Sequence, residues 1–371
     1  MIAPLHRKTV VFAGGGTGGH LYPALALAHA MPSLDAVFLV PPERGDAERI
    51  GGAFRCLPLA SPRIDRRPWL YPARLLWAVG RARRKLTELR ADAVVGLGGY
   101  ACVPVCLAAR TLGLSYYLIE CNAVPGRATR LLARFAAGAG LGFASARDGL
   151  PPRLRTRVCG TPLRRGLRAT GGPADFDLDP GRPTLLVVGG SQGARSLNTL
   201  VLRALPGCTD LNFQVLHLAG ARDARRVQEA YEGLDLPARV LPYLEQMGRA
   251  YAAADLVLAR SGASTVAECL ALGVPAVYVP YPHHADRHQE RNTEEAVRSG
   301  AAQVVREEEL EPSRFRALIE ELLLARAGRE RMAAAAARLG RPDAAVDMAA
   351  HLMESLDGAL AEGGWLTEVG E

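Results

Sequence analysis

Twice in this chain a short apolar run breaks directly into a cluster of glycines and then into a helical pattern. Thr9 to Ala13 runs into GGGTGGH, Gly14 to His20, ahead of a helix from Tyr22 to about Met31. Thr184 to Val188 runs into GGSQGA, Gly189 to Ala194, ahead of a helix to about Leu205. Each is the opening of a parallel α/β unit: a buried strand, a turn tight enough to need glycine, and a helix whose N-terminus faces that turn. Apolar runs alternate with helical stretches after both openings. In the first half they are Ala36 to Val40, Asp92 to Leu97 and Ser115 to Ile119. In the second they are Phe213 to Leu218, Val240 to Tyr243, Asp255 to Ala259, Val274 to Pro280 and Ala301 to Val305. The pattern predicts two doubly wound domains facing across a cleft, and 371 residues at 49% hydrophobic content suffice for two cores.

Composition narrows the function classes. A net charge of +7 permits a phosphate-bearing partner or an anionic surface, but no stretch resembles a nucleic-acid-reading module, so no nucleic acid partner is expected. Seven scattered cysteines without a CxxC predict reduced thiols rather than a disulfide framework or zinc site. With the first strand starting near Lys8 and no apolar run of spanning length, neither a signal peptide nor a transmembrane helix is expected, and membrane contact would be peripheral.

The densest chemistry lies in RSGASTVAECLALGVPAVYVPYPHHADRHQERN, Arg260 to Asn292. Ser261, Gly262, Ala263 and Ser264 are small enough to let an anion reach the backbone N–H groups of a helix opening at Thr265, whose N-terminus carries about half a positive charge. Glu268 lies one turn in, and Asp286, His288, Gln289 and Asn292 follow a short strand. Thr265 and Glu268 also fit a capping box, in which they would serve the helix's own N–H groups.

In parallel sheets ligands collect at the carboxyl ends of strands, which places His20, Tyr100, Glu120 and Asn122 on one crevice. Gly14, Gly16 and Gly19, with Glu43 beyond the next strand, formally satisfy a dinucleotide fingerprint, so an NAD-dependent oxidoreductase stands as an alternative. From Arg63 to Lys85, Trp69, Leu70, Tyr71, Leu75, Leu76, Trp77 and Val79 interleave with eight basic residues. That suits either an interfacial helix or an amphipathic helix with Leu76 and Val79 in the core. Thr170 to Pro183 reads as a domain linker. Its Asp175, Asp177 and Asp179 follow no buried strand, and His283, His284 and His288 lack supporting ligands, so no metal site is expected.

Together, GGGTGGHLYPALALA, GLGGY, ECNAVPGRATRLLARFA, CGTPLR, GGSQGARSLN and RSGASTVAE followed by PYPHHADRHQERN resemble the MurG family. These bacterial transferases move N-acetylglucosamine from UDP to undecaprenyl-pyrophosphoryl-MurNAc-pentapeptide, lipid I, completing lipid II for peptidoglycan synthesis. The resemblance spans nearly the whole chain, in order. It implies the GT-B fold, two Rossmann-like domains: an acceptor and membrane-docking domain at 1–163, with a helix near 343–358 crossing back onto it, and a UDP-GlcNAc domain at 164–342. It implies that Arg164, Ser191 and Gln192 contact UDP, that the Leu244 backbone meets the uracil, and that Ala263, Ser264 and Thr265 hold the diphosphate. Glu268 would hold the ribose and Gln289 the sugar hydroxyls. His20, Glu120 and Asn122 would be catalytic, with Thr17, Gly18, Gly19 and Asn122 on the acceptor side. Trp69 to Lys85 would dock on the anionic inner leaflet, at the cytoplasmic face of the cell membrane, where cell-wall synthesis proteins are possible partners. No cofactor is implied. Related GT-B transferases with another lipid acceptor, and a non-catalytic UDP-sugar-binding protein, remain as further alternatives. One departure stands out: the family's His-Glu-Gln-Asn is Ile119, Glu120, Cys121, Asn122 here.

Overall fold

The computed structural model describes residues 7–15, 18–42, 45–62, 68–190, 193–283 and 286–363. The chain divides into two compact units, one of residues 1–165 and 343–371, the other of residues 166–342.

Among the described residues, seven parallel strands build the sheet of unit 1: β1 Thr9–Ala13, β2 Asp35–Val40, β3 Arg55–Pro58, β4 Ala93–Gly96, β5 Ser115–Glu120, β6 Gly138–Leu141 and β7 Thr156–Val158. Their order is β3-β2-β1-β4-β5-β6-β7. Six more build the sheet of unit 2: β8 Thr184–Val188, β9 Gln214–Leu218, β10 Ala238–Leu241, β11 Leu256–Ala259, β12 Ala276–Tyr278 and β13 Ala302–Val304, in the order β10-β9-β8-β11-β12-β13. In both sheets the strand order reverses beside the first strand, between β1 and β4 and between β8 and β11. Those are the two topological switch points, and each glycine cluster sits at one of them. Inner strands are buried on both faces, as β1, β4, β8 and β11 show, because helices cover each side.

The C-terminal helix Ala344–Gly363 packs on unit 1 against β5 and β6. Two glycines admit it: a methyl on Gly138 would lie 2.5 Å from Ser355 Oγ, and one on Gly140 would lie 2.7 Å from Met348 Cγ. Tyr117 and His351 Nδ1 share a hydrogen bond of 2.7 Å across this contact.

Thr170 to Pro183 is not a free linker, because its apolar side chains are committed to unit 2. Phe176 and Leu178 are buried there, and Arg249 pairs with Asp175 at 3.6 Å. Leu76 is 73% exposed and so is not core, whereas Val79 packs against the core's edge. No described helix is long and apolar enough to cross a membrane.

Candidate active site

The turn after β1 rests on left-handed glycines, Gly14 at φ 132° and Gly15 at φ 123°. A methyl on Gly14 would lie 2.9 Å from Leu97 Cβ, so only glycine lets this turn touch the turn that follows β4. The next helix runs Gly18–His29 and starts four residues earlier than the apolar pattern alone indicates. Gly18 and Gly19 therefore belong to its first turn, and His20 sits inside that turn rather than ahead of it. Thr17, Gly16 and Glu43 lie outside the described residues.

His20 is half-buried beside Gly98 and Gly99. A methyl on Gly98 would be 3.4 Å from its Cε1 and 3.7 Å from Thr129 Oγ1. Thr129 in turn donates to Glu120 Oε2 at 2.8 Å, as does the Gly126 N–H at 3.0 Å. Glu120 Oε1 accepts from the Asn122 backbone at 3.0 Å and from Asn122 Nδ2 at 3.3 Å. His20, Glu120 and Asn122 are thus neighbours in one polar cluster, with half-buried Tyr100 on the helix Gly99–Thr111. Glu120 differs from the expected reacting group. It is 3% exposed, and both oxygens are spent bracing the loop from Cys121 to Gly126. Ile119 and Cys121, which replace two polar side chains of the family pattern, are buried, and burial pushes the Cys121 thiol well up.

Sequence reasoning missed Asp46, buried on the short helix Asp46–Ile50 with its carboxylate against Gly15. A lone aspartate after an acidic, polar stretch carries no signal of that contact. Arg164 lies in unit 1, its guanidinium 4.2 Å above the Tyr22 ring.

In unit 2 the turn after β8 is closed by the Gly193 N–H donating to the Gly190 carbonyl at 3.0 Å, with φ 88° at Gly190 and 73° at Gly193. Ser191 and Gln192 lie outside the described residues. After β11, the helix runs Ala263–Leu272 with Gly262 as its N-cap and no side-chain cap, and Gly273 at φ 65° ends it. The capping-box alternative is thereby corrected: the helix starts two residues before Thr265, which moves Thr265 into the first turn. Glu268 faces inward, 2% exposed, and accepts from the Tyr251 hydroxyl at 2.8 Å.

Two hydroxyl oxygens at this helix start, Ser261 Oγ and Ser264 Oγ, are buried without a hydrogen-bond partner. Buried polar atoms are nearly always satisfied, so an unpaired pair at a helix N-terminus marks a place shaped for an acceptor-rich anion. Arg260 fixes the surroundings. Arg260 is 6% exposed, and its guanidinium donates to the Val279 and Pro280 carbonyls at 2.9 and 3.1 Å and to Ser196 Oγ at 2.7 Å, and pairs with Glu307. Asn292 Nδ2 donates to the Ser261 carbonyl at 3.0 Å, and Gln289 Oε1 accepts from the Tyr281 N–H at 2.9 Å. Leu244 is half-buried between β10 and the helix Met247–Ala253. His288 Nδ1 is engaged by Asp286 at 2.7 Å, and His284 lies outside the described residues.

Residues 10–140 match the glycosyltransferase family 28 N-terminal domain, and residues 184–348 match the family 28 C-terminal domain. A UDP-N-acetylglucosamine–N-acetylmuramyl-(pentapeptide) pyrophosphoryl-undecaprenol N-acetylglucosamine transferase of Acidothermus cellulolyticus is 42% identical over 354 residues, covering 90% of this chain and 94% of the relative. The protein of the same name from Moorella thermoacetica is 39% identical, covering 90% and 95%. Acinetobacter baumannii MurG superposes with a TM-score of 0.75 at 29% identity, covering 94% of this chain and 99% of that one. The calicheamicin glycosyltransferase CalG4, at 18% identity and a TM-score of 0.66, shares the fold. The chain belongs to glycosyltransferase family 28 and, within it, to the MurG family.

Proposed function

We propose that this enzyme transfers N-acetylglucosamine from UDP-GlcNAc to the 4-hydroxyl of MurNAc in lipid I, giving lipid II. The observation that carries the donor half is the pair of unpartnered, buried hydroxyls of Ser261 and Ser264 at the N-terminus of the helix Ala263–Leu272, at the β8/β11 switch point. Unit 2 holds UDP-GlcNAc. The helix N-terminus, with Ala263, Ser264 and Thr265, receives the diphosphate, Glu268 the ribose, Gln289 the sugar hydroxyls and the Leu244 backbone the uracil. Ser191 and Gln192 complete the UDP contacts within unit 2.

The acceptor hydroxyl attacks the anomeric carbon, the bond to the UDP oxygen breaks, and the configuration inverts. The hydroxyl proton passes to a ring nitrogen of His20, the imidazole of the unit 1 polar cluster, as general base. Negative charge that develops on the leaving diphosphate is met by fixed dipoles that need no reorganisation. Asn122 contacts the acceptor with Thr17, Gly18 and Gly19, and Glu120 acts by holding Asn122.

Unit 1 docks on the anionic inner leaflet at the cytoplasmic face. Trp69, Leu76 and Trp77 are 62–73% exposed on or beside the helix Tyr71–Glu88, which also carries Arg74, Arg81, Arg83, Arg84 and Lys85. A basic side chain near such a surface is worth about 1 kcal/mol.

The test is to incubate the protein with sugar-labelled UDP-GlcNAc and a short-chain lipid I analogue. Label in a disaccharide lipid with stoichiometric UDP release supports the proposal. Donor binding without transfer, in conditions where a control transferase works, points to another acceptor or to a sensor. No donor binding sinks it.

A further inference from the structure

Behind the glycine turn of unit 2 lies a buried polar chain that no step of the proposed reaction uses. His217 on β9 is fully buried; its Nδ1 lies 3.1 Å from the Tyr231 hydroxyl and its Nε2 lies 3.1 Å from Asn198 Oδ1. Asn198, equally buried in the first turn of the helix Arg195–Ala204, donates through Nδ2 to the Ala219 carbonyl at 2.9 Å and to Asp223 Oδ2 at 2.7 Å. Asp223 is gripped by Arg226 through two contacts of 2.7 Å.

Chemistry sets every direction in this chain. Both neighbours of Asn198 Nδ2 are acceptors, so the amide nitrogen must face them and Oδ1 must face His217. Oδ1 can only accept, so His217 carries its proton on Nε2, leaving Nδ1 to accept from Tyr231. Burial holds His217 neutral, its pKa lowered to about 3, so this tautomer persists at working pH. The far end of the chain reaches the turn: a methyl on Gly193 would lie 2.6 Å from the Ala219 carbonyl oxygen and 2.9 Å from Gly220 Cα. The carbonyl that Asn198 pins is therefore the surface against which Gly193 packs.

We propose that His217 is a positioning residue for the sugar-nucleotide donor: by locking the Asn198 amide it fixes the Ala219–Gly220 backbone and with it Gly193, whose N–H closes on the Gly190 carbonyl. This rests on the reading of that turn as a UDP contact. The test compares His217→Phe, which keeps the ring but removes both nitrogens, with His217→Gln, whose amide N–H can still reach Asn198 Oδ1. KM for UDP-GlcNAc and Kd for UDP should rise about tenfold in H217F, with kcat and acceptor KM within twofold, and H217Q should stay within about threefold of wild type. A purely structural role would lower kcat through lost active enzyme and leave the donor KM alone; that result, or unchanged UDP affinity in H217F, overturns the proposal. If H217F does not fold, Asn198→Ala must show the same donor-specific loss. Exchange of the Gly193 amide without ligand reads the turn directly. It should quicken in H217F even if wild type binds no UDP, which would fail the donor reading alone, and unchanged exchange overturns the positioning claim.

Discussion

The two glycine turns occupy equivalent places, each after the first strand of its sheet and each at a switch point, yet they are furnished differently. The turn of unit 1 lies in a neighbourhood of polar side chains: Asp46 against Gly15, His20 beside Gly98 and Gly99, and the Asn122 that Glu120 braces. The turn of unit 2 is faced by backbone, by the start of the helix Ala263–Leu272 and by two unpartnered hydroxyls, with its charged groups Arg260 and Glu307 tied to each other. A shared fold delivers strand ends to one edge, and the loops decide whether that edge manipulates a proton or seats an anion.

The largest effect expected from this difference is on turnover. His20→Ala should lower kcat by about 10²–10⁴-fold, the usual worth of a positioned base, while UDP affinity stays within twofold. Unchanged turnover at saturating substrate would remove His20 as the base.

Next in size is Glu120→Ala. It strands the Gly126 and Asn122 N–H groups in a buried loop, so stability in denaturant should fall by about 3 kcal/mol. A fall below about 0.5 kcal/mol would show that the carboxylate is not the brace of the unit 1 cluster.

Acid should then separate the units. The folded His217 value of about 3 lies below the unfolded value of about 6.5, so its neutral form contributes stability that is complete above pH 6.5 and is lost as pH falls towards 3. The slope approaches about 1.4 kcal/mol per pH unit within that window. His351 of unit 1 is lowered in the same direction by desolvation but is less enclosed, so its contribution is smaller. Calorimetric melts from pH 7 to 4 should show that slope in wild type and a reduced one in His217→Gln.

Smallest is the pair Ser261→Ala and Ser264→Ala. Removing unpartnered hydroxyls should leave the melting temperature unchanged or slightly raised, while weakening UDP about tenfold. A loss of stability would mean that these oxygens serve the fold instead.

The difference between the turns was only partly legible in the sequence. Both openings, the alternation after them and the polar strand ends were readable, because inner strands are continuous apolar runs and their turns need glycine. β3 and β7 escaped because edge strands are half-exposed and lack such a run. β6 escaped because GAGL owes its glycines to a helix that arrives some 200 residues later. Thr170 to Pro183 looked like a linker because two buried residues, Phe176 and Leu178, are too few to set a period. In the site, His20 and Asn122 could be named from motifs. The closed carboxylate of Glu120, the orphaned hydroxyls and the His217–Asn198 chain depend on contacts between distant segments.

The most direct measurement is residue-resolved amide exchange or chemical-shift mapping on adding UDP to the intact enzyme. The response should concentrate at Gly190, Gly193, Ala194 and Arg260 to Thr265 in unit 2, and Gly14, Gly15, Gly18 and Gly19 should stay silent. A response confined to the glycines of unit 1, with unit 2 unmoved, would contradict the assignment of the donor and return the first turn to a dinucleotide role.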